Sequence, residues 1–249
     1  MAVLENVVDK LKRLGSDLLE LVYPPFCALC DTCLDHGTDE VLCETCRSAY
    51  PVLAEDLCVI CGKPLQDKNK ERCMDCRKRV HFYEEGRSLW VYEETVKEAI
   101  KAYKYRNRRE IGLLFAKELA RVYNESIDWP IDVVMSVPLY PKKKRARGFN
   151  QTRLMAKTFA KKTGLDLGAE DGLKRIHATV AQEGLSDKDR MANVLFAFEA
   201  QADHVKNKTV LLIDDVYTTG ATIDGCAKAL TDAGAKEIYY MSVAIGRGY

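Results

Sequence analysis

The chain has 249 residues, 47% apolar and 30% charged side chains, and a formal charge of +1. Enough apolar side chain is present to bury a core, which excludes a dominantly disordered chain. The near-neutral charge names no partner, the length suits two domains, and no run approaches the ~18 uninterrupted apolar residues of a membrane span.

Apolar residues recur at Leu4, Val7, Val8, Leu11, Leu14, Leu18 and Val22. This spacing predicts an amphipathic helix over residues 3–22, within an N-terminal segment 1–25. Lys10, Lys12 and Arg13 break up its apolar residues, so it is expected to lack a signal peptide's unbroken core, and the chain is expected in the cytoplasm. Tyr23-Pro24-Pro25 ends the helix, because the residue before a proline is pushed out of the α region.

Residues 26–80 form a cysteine-rich module. Of ten cysteines, nine fall between Cys27 and Cys76, and Cys226 stands alone. Four CxxC pairs are present: Cys27/Cys30, Cys43/Cys46, Cys58/Cys61 and Cys73/Cys76. Each CxxC turn places two thiolates at one metal, and a second pair brought back by a short hairpin completes a tetrahedral S4 shell. Two structural zinc ions are the expectation, with iron–sulfur ligation and redox chemistry as weaker alternatives. Sequential pairing closes shorter loops than interleaved pairing and is favoured. Cys33 and His36 lie close enough in sequence to substitute for a ligand. Gly62, directly after Cys61, suits the tight turn of a knuckle.

From residue 81 to 249 the composition is that of an α/β domain. Strand-like runs (132–137, 210–213, 238–245) alternate with helical stretches (95–105, 110–123, 151–163, 222–233). Such alternation predicts a mostly parallel sheet covered on both faces.

The strongest chemical signal is Val210-Leu-Leu-Ile-Asp214-Asp215-Val-Tyr-Thr218-Thr219-Gly220-Ala221-Thr222. Four apolar residues fit a central buried strand, and two carboxylates are expected where it ends. A small hydroxyl-and-glycine loop then runs into a helix whose N-terminal amides suit a phosphate. Ligands of open α/β sheets bind at the carboxyl ends of the strands. A P-loop is excluded, because Cys226-Ala227 follow Gly225 where lysine and a hydroxyl residue are needed.

Two basic stretches accompany this loop. Lys142, Lys143, Lys144, Arg145 and Arg147 follow the first apolar strand, in a loop expected to meet pyrophosphate or a nucleic-acid backbone. Asn150 is placed to cap the next helix. Lys101, Tyr103, Lys104, Tyr105, Arg106, Arg108 and Arg109 interleave cations with aromatic rings, a pattern that suits single-stranded nucleic acid. A solvated amphipathic helix is the plainer reading of the same residues.

The segment 210–222 resembles the phosphoribosyl-pyrophosphate motif of type I phosphoribosyltransferases. The resemblance implies that Asp214 and Asp215 hold the ribose hydroxyls, that Thr218, Thr219, Gly220, Ala221 and Thr222 cradle the 5′-phosphate, and that Mg²⁺ accompanies the pyrophosphate. Arg145, Arg147, Gln151 and Arg190 are the expected pyrophosphate contacts, and Lys101, Tyr103, Lys104, Tyr105 and Arg106 the nucleic-acid candidates.

Over nearly its whole length the chain resembles the ComF family of competence proteins. The resemblance rests on Tyr23-Pro24-Pro25-Phe26-Cys27, the four CxxC pairs, Tyr103-Lys-Tyr105, Arg147-Gly-Phe-Asn-Gln151, the Gln182/Leu185/Arg190/Asn193 pattern and the phosphoribosyl motif. It implies a double zinc ribbon joined to a type I phosphoribosyltransferase-like domain. It also implies a role in DNA uptake during natural transformation, on the cytoplasmic side, beside a helicase-like partner. Two other readings stay open: an active phosphoribosyltransferase with an unknown acceptor, and a sensor that binds phosphoribosyl pyrophosphate without turnover.

Overall fold

The computed structural model describes residues 24–177 and 194–247. The helix expected over residues 3–22 lies outside the described residues, as do Gln182, Leu185, Arg190 and Asn193. The chain divides into two compact units, Met1–Pro51 and Val52–Tyr249.

In the first unit, Phe26 and Cys33 form an antiparallel bridge, and Cys27 N–H donates to Thr32 O at 2.8 Å. The turn between them carries Asp31 at φ 63°. Helix α1 (Glu44–Ala49) starts after Cys43, whose Sγ accepts the N–H of Cys46.

The second unit opens on the same construction. Leu57 bridges Pro64, Cys58 N–H donates to Lys63 O at 2.8 Å, and Gly62 turns the chain at φ 67°. Helix α2 (Met74–Lys78) starts after Cys73. The cysteine-rich stretch is therefore two copies of one knuckle. Gly62 is required for a second reason beyond its left-handed backbone: a Cβ there would lie 2.5 Å from the carbonyl oxygen of Gly86.

The rest of the second unit is a parallel sheet wrapped by helices. In chain order come β1 (Glu85–Val91), α3 (Glu94–Tyr105), α4 (Arg109–Ser126), β2 (Val133–Ser136), α5 (Pro141–Arg147), α6 (Gln151–Thr163) and β3 (Asp166–Leu167). There follow β4 (Leu173–Arg175), β5 (Phe198–Ala200), α7 (Ala202–Val205), β6 (Thr209–Tyr217), α8 (Ala221–Asp232) and β7 (Glu237–Ile245). The main sheet has the order β1-β7-β6-β2-β3, and every neighbouring pair is parallel. Strands β4 and β5 form a separate antiparallel ribbon.

Burial explains the layers. Val210, Leu211, Leu212 and Ile213 are all fully buried, as a central strand covered on both faces requires. Ile223, Cys226, Ala227 and Leu230 of α8 share a core with Val133, Met135, Val210 and Leu212. Helices α4 and α6 pack on each other and against the sheet, burying Phe115, Met155 and Phe159.

Three local expectations are corrected. Strand β6 runs on to Tyr217, so Asp214 and Asp215 lie inside it rather than beyond its end. Strand β7 supplies the extra ladder, pairing Asp214 with Ser242 and Tyr217 with Ile245, whereas β2 pairs no further than Ser136 with Ile213. The basic stretch after β2 is helix α5 rather than a loop, started by Pro141 at its first position, where proline's fixed φ favours the helix. Asn150 occupies the N-cap of α6 but makes no side-chain cap bond; its Oδ1 accepts from the Thr152 hydroxyl at 2.7 Å.

Candidate functional site

The two knuckles gather their thiols in sequential pairs. Cys27, Cys30, Cys43 and Cys46 form one cluster and Cys58, Cys61, Cys73 and Cys76 the other, with all four sulfurs of each within 4.8 Å of one another. Sulfur separations of 3.6 Å, Cys30 to Cys43 and Cys61 to Cys73, match the roughly 3.8 Å edge of a tetrahedron with Zn–S bonds of about 2.3 Å. The clusters need a cation to be fully ionised. Hydrogen bonds from Cys61 and Cys76 hold the Cys58 thiol low, and in return Cys61 and Cys76 are pushed up. Burial and neighbouring sulfurs likewise raise Cys46. A divalent ion removes this conflict. The donor set fits structural zinc, and four thiolates leave no open position for a catalytic water. Cys33 belongs to neither cluster, and neither does His36.

The second candidate site lies where the sheet reverses its strand order. Strand β2 leads on to β3 on one side, and β6 leads on to β7 on the other. The crevice between the carboxyl ends of β2 and β6 is thus the topological switch point, where ligands of open α/β sheets bind. Because β2 stops at Ser136, the backbone at Asp214 and Asp215 has a ladder on one side only.

Strand alternation sends the two acids to opposite faces. Asp215 Oδ1 pairs with Lys104 Nζ of α3 at 2.6 Å, and its Oδ2 accepts from Gln151 Nε2 of α6 at 3.0 Å. Burial works against the charge on Lys104, but Asp215 outweighs it and raises the ammonium pKa. Asp214 is buried on the other face, where Cys226 of α8 and Arg175 of β4 feel its charge. Burial and the adjoining Asp215 push the Asp214 carboxyl up to about 8.

The loop that follows turns on Gly220 into the helix behind it. Gly220 takes the left-handed conformation, φ 82°, at the N-cap of α8. A Cβ on Gly220 would lie 2.4 Å from the Tyr217 hydroxyl. Thr218 and Thr219 are exposed, and Ala221 and Thr222 are half-buried at the start of the helix. The first amides of a helix have no intrahelical acceptor, so those of α8 can serve a phosphate.

The basic residues divide into inner and outer sets. Tyr103 is fully buried, and its hydroxyl donates to Gln151 O at 2.6 Å. Lys104 turns inward to Asp215, as above. Tyr105 is 70% exposed. Arg147 lies over the Tyr105 ring at 5.0 Å and donates to its hydroxyl at 3.2 Å. Arg109 lies over Phe149 at 4.7 Å. Lys142, Lys143, Lys144, Arg145 and Arg106 are exposed, and Lys101 pairs with Glu98 at 2.7 Å. Arg190 lies outside the described residues.

A cavity of about 830 Å³ adjoins the exit of β2. Pro138, Leu139, Leu173 and Ile176 line it, with Arg145 and Lys174.

Sequence reasoning missed His81 and Asp224. They meet across 143 positions, His81 Nδ1 to Asp224 Oδ2 at 3.0 Å. No spacing rule joins residues so far apart in the chain. Among the described residues, no helix is long and apolar enough to cross a membrane.

A family model described as a double zinc ribbon domain matches residues 18–83. Competence protein ComFC of Bacillus subtilis (strain 168) is 26% identical over 231 residues, covering 86% of this chain and 91% of that protein. Competence protein F of Haemophilus influenzae is 28% identical over 217 residues, covering 84% and 92%. DNA utilization protein YhgH of Escherichia coli (strain K12) is 27% identical over 223 residues, covering 88% and 96%. Among solved structures, a glutamine phosphoribosylpyrophosphate amidotransferase from B. subtilis, complexed with ADP and GMP, is similar with a TM-score of 0.40 and 21% identity. That match covers 57% of this chain and 30% of the enzyme's.

Proposed function

We propose that the protein, similar to competence proteins over most of its length and matching a double zinc ribbon model, handles single-stranded DNA during natural transformation and binds phosphoribosyl pyrophosphate at the β2/β6 crevice. One observation carries the reading. The two acids, the Gly220 cradle and the Tyr105/Arg147 and Phe149/Arg109 stacks all come from segments that meet at the crevice or directly follow those that do.

The roles follow from the chemistry. The first amides of α8 and the hydroxyls of Thr218, Thr219 and Thr222 hold the 5′-phosphate. Asp214 and Asp215 accept from the ribose hydroxyls, and Lys104 neutralises Asp215. Arg145 and Arg147 are the described residues available to pyrophosphate, whereas Gln151 is buried and donates to Asp215; Mg²⁺ would offset the charge of the pyrophosphate. Exposed Tyr105 offers a stacking face to a base, and the α5 cations follow the backbone. The name of the E. coli relative, a DNA utilization protein, agrees with this reading.

The cavity beside β2 favours a second reading, an active phosphoribosyltransferase. Its lining, apolar residues with Glu170 and Asp171 beside Arg145, Lys174 and Arg175, suits an acceptor larger than water. Displacement at the anomeric carbon by the acceptor would then release pyrophosphate.

Calorimetric titration of zinc-loaded protein with phosphoribosyl pyrophosphate and Mg²⁺ tests the site. Binding is expected in the wild type and is expected to be lost in Asp214→Asn/Asp215→Asn. No binding in the wild type refutes a live phosphoribosyl site. Release of pyrophosphate on adding an acceptor separates the enzyme from the DNA-handling protein.

A further inference from the structure

The second knuckle is bonded directly to the phosphate cradle. His81 stands between them. Its Nε2 lies 3.4 Å from Cys76 Sγ, and its Nδ1 lies 3.0 and 3.1 Å from the two carboxylate oxygens of Asp224. Asp224 sits in the first turn of α8, and its own N–H donates to Gly220 O at 2.8 Å. The side chains of His81 and Asp224 are only 2% and 7% exposed.

Three more bonds run from the segment after Cys76 to the same loop. Phe82 N–H donates to Asp224 Oδ1 at 3.2 Å, Arg79 Nη1 donates to Thr219 O at 3.5 Å, and the hydroxyls of Tyr83 and Tyr217 meet at 2.7 Å. Residues 79–83 thus grip the cradle at Tyr217, Thr219 and Asp224. Buried polar groups satisfied only by each other tolerate little displacement. Outer-shell partners of a metal ligand also set the ligand's orientation. Here that partner of Cys76 is His81, and Asp224, in the first turn of the helix that follows the cradle, holds His81 in turn.

We propose that the Cys58/Cys61/Cys73/Cys76 centre is a positioning element for the phosphate cradle, acting through His81 and Asp224, so that metal occupancy there and affinity for phosphoribosyl pyrophosphate are thermodynamically linked. The inference rests on the phosphoribosyl reading of the crevice. Linkage is reciprocal: if metal at this centre tightens ligand binding by some factor, ligand tightens metal binding by the same factor.

The test uses the full chain loaded with zinc. Metal release to a chromogenic chelator is followed with and without phosphoribosyl pyrophosphate and Mg²⁺. About half of the zinc is expected to leave some five- to tenfold more slowly when ligand is present, within the usual range of site-to-site coupling. In His81→Leu the ligand effect on release should vanish and ligand affinity should fall by a similar factor, with two metals retained. Cobalt replacement adds a signature: the thiolate-to-cobalt absorption should shift on ligand binding in the wild type and not in His81→Leu. The wild-type release measurement stands even if the variant folds poorly. Ligand binding with unchanged metal release overturns the linkage and leaves the phosphoribosyl reading intact. Absence of ligand binding to the wild type overturns both.

Discussion

Replacing Lys104 with methionine isolates the contribution of the ion pair at the crevice. The lysine ammonium and the Asp215 carboxylate are 2.6 Å apart, with side chains 17% and 9% exposed. Methionine keeps most of the stem's volume but leaves a buried carboxylate with a single donor, Gln151 Nε2. Breaking a buried pair from one side costs about 3–5 kcal/mol. The retained glutamine bond and the partial exposure of Lys104 place this case near the lower end, at roughly 3 kcal/mol. For a chain of this size that lowers the melting temperature by about 6–12 °C. The assay is thermal and urea unfolding of zinc-loaded wild type, Lys104→Met, Asp215→Asn and the double variant. Asp215→Asn removes the charge that Lys104 compensates, so the double variant should recover at least about 2 kcal/mol relative to additivity. Additive losses, or a Lys104→Met loss below about 1 kcal/mol, would show that solvent rather than Lys104 compensates Asp215.

Asp214 carries a pH signature. Its folded pKa of about 8 exceeds the ~3.9 of an unfolded aspartate, so the native state holds a proton that the unfolded chain releases. Its contribution to stability is therefore full below pH ~4 and falls by up to about 1.4 kcal/mol per unit as pH rises toward 8; Asp214→Asn should flatten unfolding curves between pH 6 and 8, and an unchanged slope would reassign the effect. Gly220→Ala places a Cβ 2.4 Å from the Tyr217 hydroxyl at φ 82°; a strain of about 1–2 kcal/mol should weaken phosphoribosyl pyrophosphate about tenfold or more by calorimetry. Tyr105→Ala should weaken single-stranded DNA by about 1–3 kcal/mol, and Arg147→Gln should lower the salt slope by about 1 in fluorescence titrations; a slope unchanged in Arg147→Gln would place the strand elsewhere. Cys30→Ser should leave one zinc per chain and the unfolding of the second unit unchanged, whereas Cys61→Ser should also destabilise that unit, because Cys61 lies in its core, as metal analysis and calorimetric melting will show.

The sheet and its helices were legible because they rest on local periodicity. Helices α3, α4, α6 and α8 and strands β2 and β7 fall where their apolar patterns place them. Sequential thiol pairing was equally readable, since it follows from loop length. What escaped the sequence depends on neighbours far along the chain. Strand β1 mixes Glu85, Gly86 and Arg87 with Leu89 and Trp90, and becomes a strand by pairing with β7. Helix α5 has no buried residue and hence no apolar period; Pro141 was its one local mark. Asp214 and Asp215 look like a strand ending because charge is costly in a sheet, yet β7 carries the ladder past them while Lys104 and Gln151 take up Asp215. Cation–aromatic interleaving in α3 could not show that Tyr103 and Lys104 turn inward while Tyr105 faces out.

The duplicated knuckle also has an asymmetry built into its turns. Asp31 and Gly62 occupy the same place, each just after the second cysteine of its CxxC and each in the left-handed region. The first copy tolerates a side chain there; the second does not, because the Gly86 carbonyl oxygen lies 2.5 Å from where a Cβ would sit. The two copies are thus not interchangeable modules. Carrying aspartate into position 62 would wedge the second knuckle off the edge of β1. The second copy is held to whatever shape the sheet beside it dictates.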